Sequence, residues 1–124
     1  MLIHLLVFIQ FYAYMILIKW PILDGLCNQA DKNIWNNKRK ESKVALSSCG
    51  TSCWGVPQCV ADCMKKKLKF STQCSSCLGD FSGCGKSNCL GSCAFCRTCK
   101  GCIECMRKYC ESSFIKCSGL TSPL

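Results

Sequence analysis

Hydrophobic positions fall along this chain in two regimes. Residues 1–18, MLIHLLVFIQFYAYMILI, form an apolar run broken only by His4 and Gln10. Beyond residue 26, apolar side chains come singly or in twos and threes among Lys, Asn, Ser and Gly. The first run is short for a spanning helix, which needs about 20 apolar residues, and has the length of a signal-peptide core. Pro21 ends it, and Gly25 supplies the small residue that a signal peptidase requires. Residues 1–25 are therefore predicted to be a leader cut between Gly25 and Leu26. The competing reading is an uncleaved anchor, because no Lys or Arg precedes the run while Lys19, Lys32, Lys38, Arg39, Lys40 and Lys43 follow it. That orientation would put the rest of the chain in the cytosol, where disulfides do not persist.

In the second regime, residues 26–48 are polar and basic and read as an arm with little core of its own. Cys27 would tie it to the body. Ser48 is placed as the N-cap that opens the cysteine-rich body. Cys49 with Cys53, and Cys59 with Cys63, each put two thiols on one helix face. Gly55 can stop one helix and Pro57 can occupy the first turn of the next. The result is an antiparallel hairpin stapled by Cys53–Cys59 inside and Cys49–Cys63 outside. Val56, Cys59, Val60, Cys63, Met64 and Leu68 extend the second helix from Pro57 to about Phe70. Ser71 is expected to cap a short helix holding Cys74 and Cys77, closed by Gly79. Gly83 and Gly85 then mark a loop, and Ser87 or Ser92 opens a last helical stretch.

That stretch carries Cys93, Cys96, Cys99, Cys102 and Cys105. Three-residue steps on an α-helix spread side chains around the cylinder, whereas a tighter turn aligns them. The spacing leaves both open, and Gly101 allows a break. No run of alternating β-branched residues predicts a strand.

An approximate repeat underlies the body. Cys49-x3-Cys53-x5-Cys59 matches Cys89-x3-Cys93-x5-Cys99. Cys59-Val-Ala-Asp-Cys63-Met-Lys-Lys echoes Cys102-Ile-Glu-Cys105-Met-Arg-Lys, and Phe70 with Cys74 echoes Phe114 with Cys117. These matches predict two related units of about 40 residues, at 49–88 and 89–120, with 121–124 as a tail. The fold class expected is small, disulfide-rich and mostly helical or irregular, built from cystine-stapled helical hairpins.

Composition supports this picture. From Cys49 to Cys117 fifteen cysteines stand against fifteen large apolar or aromatic side chains, so covalent links must supply what a thin core cannot. Sixteen cysteines in 124 residues is a disulfide-scaffold density. All sixteen (Cys27, Cys49, Cys53, Cys59, Cys63, Cys74, Cys77, Cys84, Cys89, Cys93, Cys96, Cys99, Cys102, Cys105, Cys110 and Cys117) can pair once the leader is gone. Zinc is the rival for them, through the C-x2-C pairs at Cys74, Cys93 and Cys102. An unbroken three-residue ladder generates such pairs automatically, however, and the apolar leader argues for disulfides over metal.

The chemistry available is narrow. The sole histidine, His4, lies in the leader, which removes the commonest general base from the mature chain. Carboxylates are few and show no paired spacing, so the expectation is a protein that is not an enzyme and uses no cofactor. The formal charge is +9, unchanged by loss of residues 1–25. Such a surface favours acidic partners, either a receptor or channel mouth or an anionic membrane. Export argues against nucleic acid. The cluster Lys65, Lys66, Lys67, Lys69 with Phe70 is the predicted binding surface, and Arg97, Lys100, Arg107 and Lys108 form a looser second set. The expected protein is a secreted binder or effector of toxin-like, defence or signalling type, as a monomer or small homo-oligomer. A thiolate metal protein and a membrane-anchored cysteine-rich ectodomain are the alternatives.

Overall fold

The structure is a computed structural model that describes the backbone of residues 1–19 and 25–124. The position of Pro21 as the end of the apolar run lies outside the described residues. Seven helices and no strand occur among those described: α1 (Leu2–Lys19), α2 (Gln29–Asn37), α3 (Arg39–Ser52), α4 (Pro57–Leu68), α5 (Thr72–Cys93), α6 (Lys100–Tyr109) and α7 (Glu111–Ser118). The side chains of α1 are exposed from Leu2 to Met15. No helix among the described residues is long and apolar enough to cross a membrane.

Eight disulfides consume all sixteen cysteines. They are strictly nested. In the first hairpin Cys27–Cys74 encloses Cys49–Cys63, which encloses Cys53–Cys59. In the second, Cys77–Cys117 encloses Cys84–Cys110, Cys89–Cys105, Cys93–Cys102 and Cys96–Cys99 in turn. The inner-and-outer stapling expected for Cys49 to Cys63 is present, and the second hairpin repeats it. No bridge joins the two hairpins. The units defined by pairing are thus 27–74 and 77–117, while the boundary placed at 88/89 falls inside α5.

The spacing of the second ladder explains its helices. Steps of seven, five, four and three residues on one side face steps of seven, five, three and three on the other. Steps of three, four and seven stay near one helix face, but a step of five ends about 140° away from it. A regular helix cannot keep such a cysteine in the ladder. On the α5 side the five-residue step ends at Cys89, where the helix kinks (φ −126°, ψ 18°). On the other side it ends at Cys110, the junction between α6 and α7 (φ −124°, ψ −29°). Both helices break where the covalent register demands it.

Several helix limits differ from the sequence reading. Ser48 lies inside α3, which begins at Arg39 and turns Ser42, Ala45, Leu46 and Cys49 inward. Ser71 does cap α5, its Oγ accepting from the Cys74 N–H at 3.3 Å, but α5 runs on through Gly79, Gly83 and Gly85 to Cys93. Those glycines are contact points rather than stops. A Cβ on Gly79 would overlap the Pro57 carbonyl, one on Gly83 would lie 2.7 Å from Pro57 Cγ, and one on Gly85 2.8 Å from Met106 Sδ. They let α5 sit against α4 on one side and α6 on the other. The last helical stretch opens at Cys99, not at Ser87 or Ser92, and Gly101 sits within α6. The five-cysteine ladder is divided, with Cys93 ending α5, Cys96 and Cys99 in a turn, and Cys102 and Cys105 on α6.

The segment read as an arm supplies the centre of the core. Trp35 of α2 is fully buried. Its ring lies 6.4 Å from Phe70 and 5.9 Å from Phe114, the two phenylalanines related by the repeat, and Phe81 stands 5.3 Å from Phe114. Trp35 Nε1 donates to Thr121 Oγ1 at 3.1 Å, and the Arg39 guanidinium covers the ring at 4.9 Å. Arg39 also binds Thr121 and the Ser122 carbonyl. The tail from residue 121 is therefore locked to α2 and α3. Buried Asp31 ties the same region to α5, accepting from Asn28 N–H (2.9 Å), Ser71 N–H (2.8 Å) and Ser71 Oγ (2.6 Å).

Candidate functional site

Lysines accumulate where α4 ends. Lys65, Lys66 and Lys67 occupy its last turn, and Lys69 closes it in a left-handed conformation (φ 64°). Cations suit this position because the helix C-terminus carries partial negative charge on its free carbonyls. Lys65 Nζ donates to Thr72 Oγ1 at 2.9 Å, and Lys67 Nζ to Ser48 Oγ at 3.3 Å. These bonds direct two of the ammonium groups without neutralising them. Lys65, Lys66 and Lys69 line a shallow open depression with Asp62 and Phe70. Asp62 is itself occupied, accepting from Gln58 Nε2 at 3.0 Å.

Of the residues predicted for this surface, the structure keeps the four lysines together and exposed. Phe70 is corrected: it is 1% exposed, packed on Trp35, and cannot serve as a presented aromatic. Packing against the aromatic cluster buries more of the ring than a surface position allows. The second basic set is dispersed. Arg97 folds back to donate to the Ser47 carbonyl at 3.2 Å, Lys100 pairs with Glu104 at 3.8 Å, and Arg107 pairs with Glu111 at 3.6 Å. Those two are the ion pairs among the described residues, and neither involves the α4 cluster.

One group of potential metal donors comes together, formed by Cys27, Asp31 and Cys74 within 4.8 Å of one another. Its two sulfurs are bonded to each other, and its carboxylate already accepts from Asn28 and Ser71. The arrangement is a structural joint within the first hairpin, tying the start of α2 to the start of α5. Gly25, assigned to the end of the leader, has φ 80°, and a Cβ there would overlap the Ser118–Gly119 backbone. Leu26 N–H and Cys27 N–H then donate to the Cys117 and Ser118 carbonyls at 2.8 and 3.1 Å.

Sequence reasoning missed the aromatics at the hairpin tips. Trp54 and Phe95 are both exposed, and each directly follows or lies between cysteines of the innermost bridges. That adjacency was available in the sequence. Dense disulfides and the helical-hairpin build fit a small extracellular disulfide-rich protein. Comparison with protein-family models, curated proteins and solved structures returns no match.

Proposed function

We propose that this chain is a secreted, non-enzymatic binding protein or effector, of toxin-like, defence or signalling type, that acts on an acidic receptor, a channel mouth or an anionic membrane surface. The observation that carries this reading is the α4 cluster. Four exposed lysines within five residues are held on a cross-linked scaffold with no ion pair to any carboxylate among the described residues. Their mutual repulsion costs little in water and is relieved by an acidic partner. Because the Cys49–Cys63 and Cys53–Cys59 bridges fix α4 against α3, the cluster loses little further conformational freedom on binding. Residues 1–25 act in this reading as a leader that delivers the chain to an oxidising compartment.

The test is binding of the oxidised protein to immobilised polyglutamate and to anionic vesicles over a range of salt. Affinity should fall steeply with ionic strength, as for any contact carried by exposed charges. Each Lys near an anionic surface contributes about 1 kcal/mol, so K65Q/K66Q/K67Q/K69Q should weaken binding at least tenfold. Equal binding by the parent and this variant would remove the cluster from the function.

A further inference from the structure

The two hairpins end side by side in one basic, aromatic surface. Arg97, in the turn of the second hairpin, reaches Ser47 in the last turns of α3, and a Cβ on Gly55, in the first turn, would lie 3.0 Å from Lys86 Cβ on α5. Both turns therefore occupy the same end of the molecule. The α4 lysines lie at the opposite end of that helix. At this shared end Phe95 is 101% exposed, Trp54 81% and Leu90 63%. Lys86, Arg97 and Lys100 stand on these segments, Lys100 in a loose solvent-exposed pair with Glu104 at 3.8 Å, and neither residues 42–61 nor residues 81–103 contain an Asp or Glu.

Trp54 is costly where it stands. Its φ of 53° puts a bulky side chain in the left-handed region, a true outlier for such a residue. The turn itself is well bonded, with Trp54, Gly55 and Val56 N–H groups donating to Thr51, Gly50 and Cys53 carbonyls. The indole gains almost no packing in return. Phe95 likewise touches so little of the chain that folding does nothing for it. The backbone that carries each ring is cross-linked, since each lies beside the innermost bridges of its hairpin.

We infer that the paired hairpin tips insert Trp54 and Phe95 into the headgroup layer of an anionic membrane, with Lys86, Arg97 and Lys100 holding the phosphates. Trp suits that depth because its ring is apolar while its N–H stays hydrogen-bonded. Apolar insertion together with cation attraction is the combination that binds interfaces reversibly. A second copy of the chain is a poor occupant, since it would bring three further cations against these three. The insertion site is distinct from the α4 cluster and stands without it.

The test uses the oxidised protein with vesicles of phosphatidylcholine alone or in equimolar mixture with phosphatidylglycerol. Tryptophan emission and co-sedimentation are read for the parent, W54G, F95S and K65Q/K66Q/K67Q/K69Q. Glycine accepts the Trp54 conformation without strain, so W54G keeps the fold, and intact mass confirms the eight bridges. Anionic vesicles should shift the parent emission to the blue and shield it from an aqueous quencher. In the chain from Leu26 the other tryptophan is Trp35, common to parent and W54G, so the difference belongs to Trp54. W54G and F95S should each lower the partition coefficient roughly tenfold, the equivalent of one large apolar side chain left in water. The α4 variant, taken to saturating lipid to offset its weaker binding, should reach the same blue shift as the parent. Vesicle binding that is unchanged by W54G and F95S overturns the inference but leaves the lysine reading intact. So does an absence of vesicle binding with tip variants that alter only the sedimentation mass, which would make the surface a self-contact.

Discussion

Replacing Cys27 and Cys74 by alanine removes the outermost rung of the first ladder, and replacing Cys96 and Cys99 removes the innermost rung of the second. Nesting makes these two losses unequal. With Cys49–Cys63 intact, opening Cys27–Cys74 frees a loop made of residues 27–49 and 63–74. That is about 35 residues, for which the chain-entropy estimate is about 4 kcal/mol. Cys96–Cys99 closes a sequence separation of 3, and the same relation assigns it about 2 kcal/mol. Packing widens the gap, because Cys27 and Cys74 are buried whereas Cys99 is exposed. Cys27 also holds the start of α2, which carries Trp35 into the core. The double variants should therefore differ by at least about 2 kcal/mol, or roughly 10 °C in Tm for a domain of this size. Thermal and guanidinium unfolding of the oxidised variants, followed by Trp35 fluorescence, measures it. If loss of Cys96–Cys99 destabilises as much as loss of Cys27–Cys74, the ladder does not work through the loops it closes.

Three further outcomes follow from the packing. Trp35→Ala should cost about 4 kcal/mol in denaturant unfolding, because it empties the space between Phe70 and Phe114 and removes one of the two donors to Thr121. Gly79→Ala should destabilise by about 1–3 kcal/mol through overlap with the Pro57 carbonyl, whereas Gly91→Ala, with nothing within 4 Å, should stabilise α5 by about 0.5–1 kcal/mol. Asp31→Ala should cost about 2–3 kcal/mol, since the Asn28 and Ser71 donors lose their acceptor in a part-buried site, and amide exchange at Ser71 should accelerate.

The first hairpin was legible because its signals are local. Cys-x3-Cys on either side of a Gly and Pro turn determines helix face, turn and pairing together, and the structure has Gly55 at φ 70° and Pro57 at the first helical position. What failed were inferences that local chemistry cannot support. Gly79, Gly83 and Gly85 read as breakers, yet helix propensity costs them only about 1 kcal/mol each, and each admits a neighbour, Pro57 or Met106, that a Cβ would collide with. Trp35 sat in a polar segment with no apolar stripe long enough to mark a buried helix. Its burial depends on Phe70, Phe114 and Thr121, all distant in sequence, and on the tail that Arg39 binds.

The ladder itself carried more information than its pairwise spacings. Once two chains of cysteines are taken as facing rungs, each five-residue step demands a helix break, because a continuous helix would point that thiol about 140° away. Cys84 to Cys89 and Cys105 to Cys110 are such steps, and the kink at Cys89 and the α6–α7 junction at Cys110 are the breaks. The covalent register thus dictates backbone geometry that neither propensity nor hydrophobic period encodes. It also dictates what the ends of the hairpins can do. Rungs that tighten toward the tips cross-link short turns, so the backbone there is held by the bridges and not by burial. That is why Trp54 can occupy a strained, solvated position that a chain relying on its core would relax.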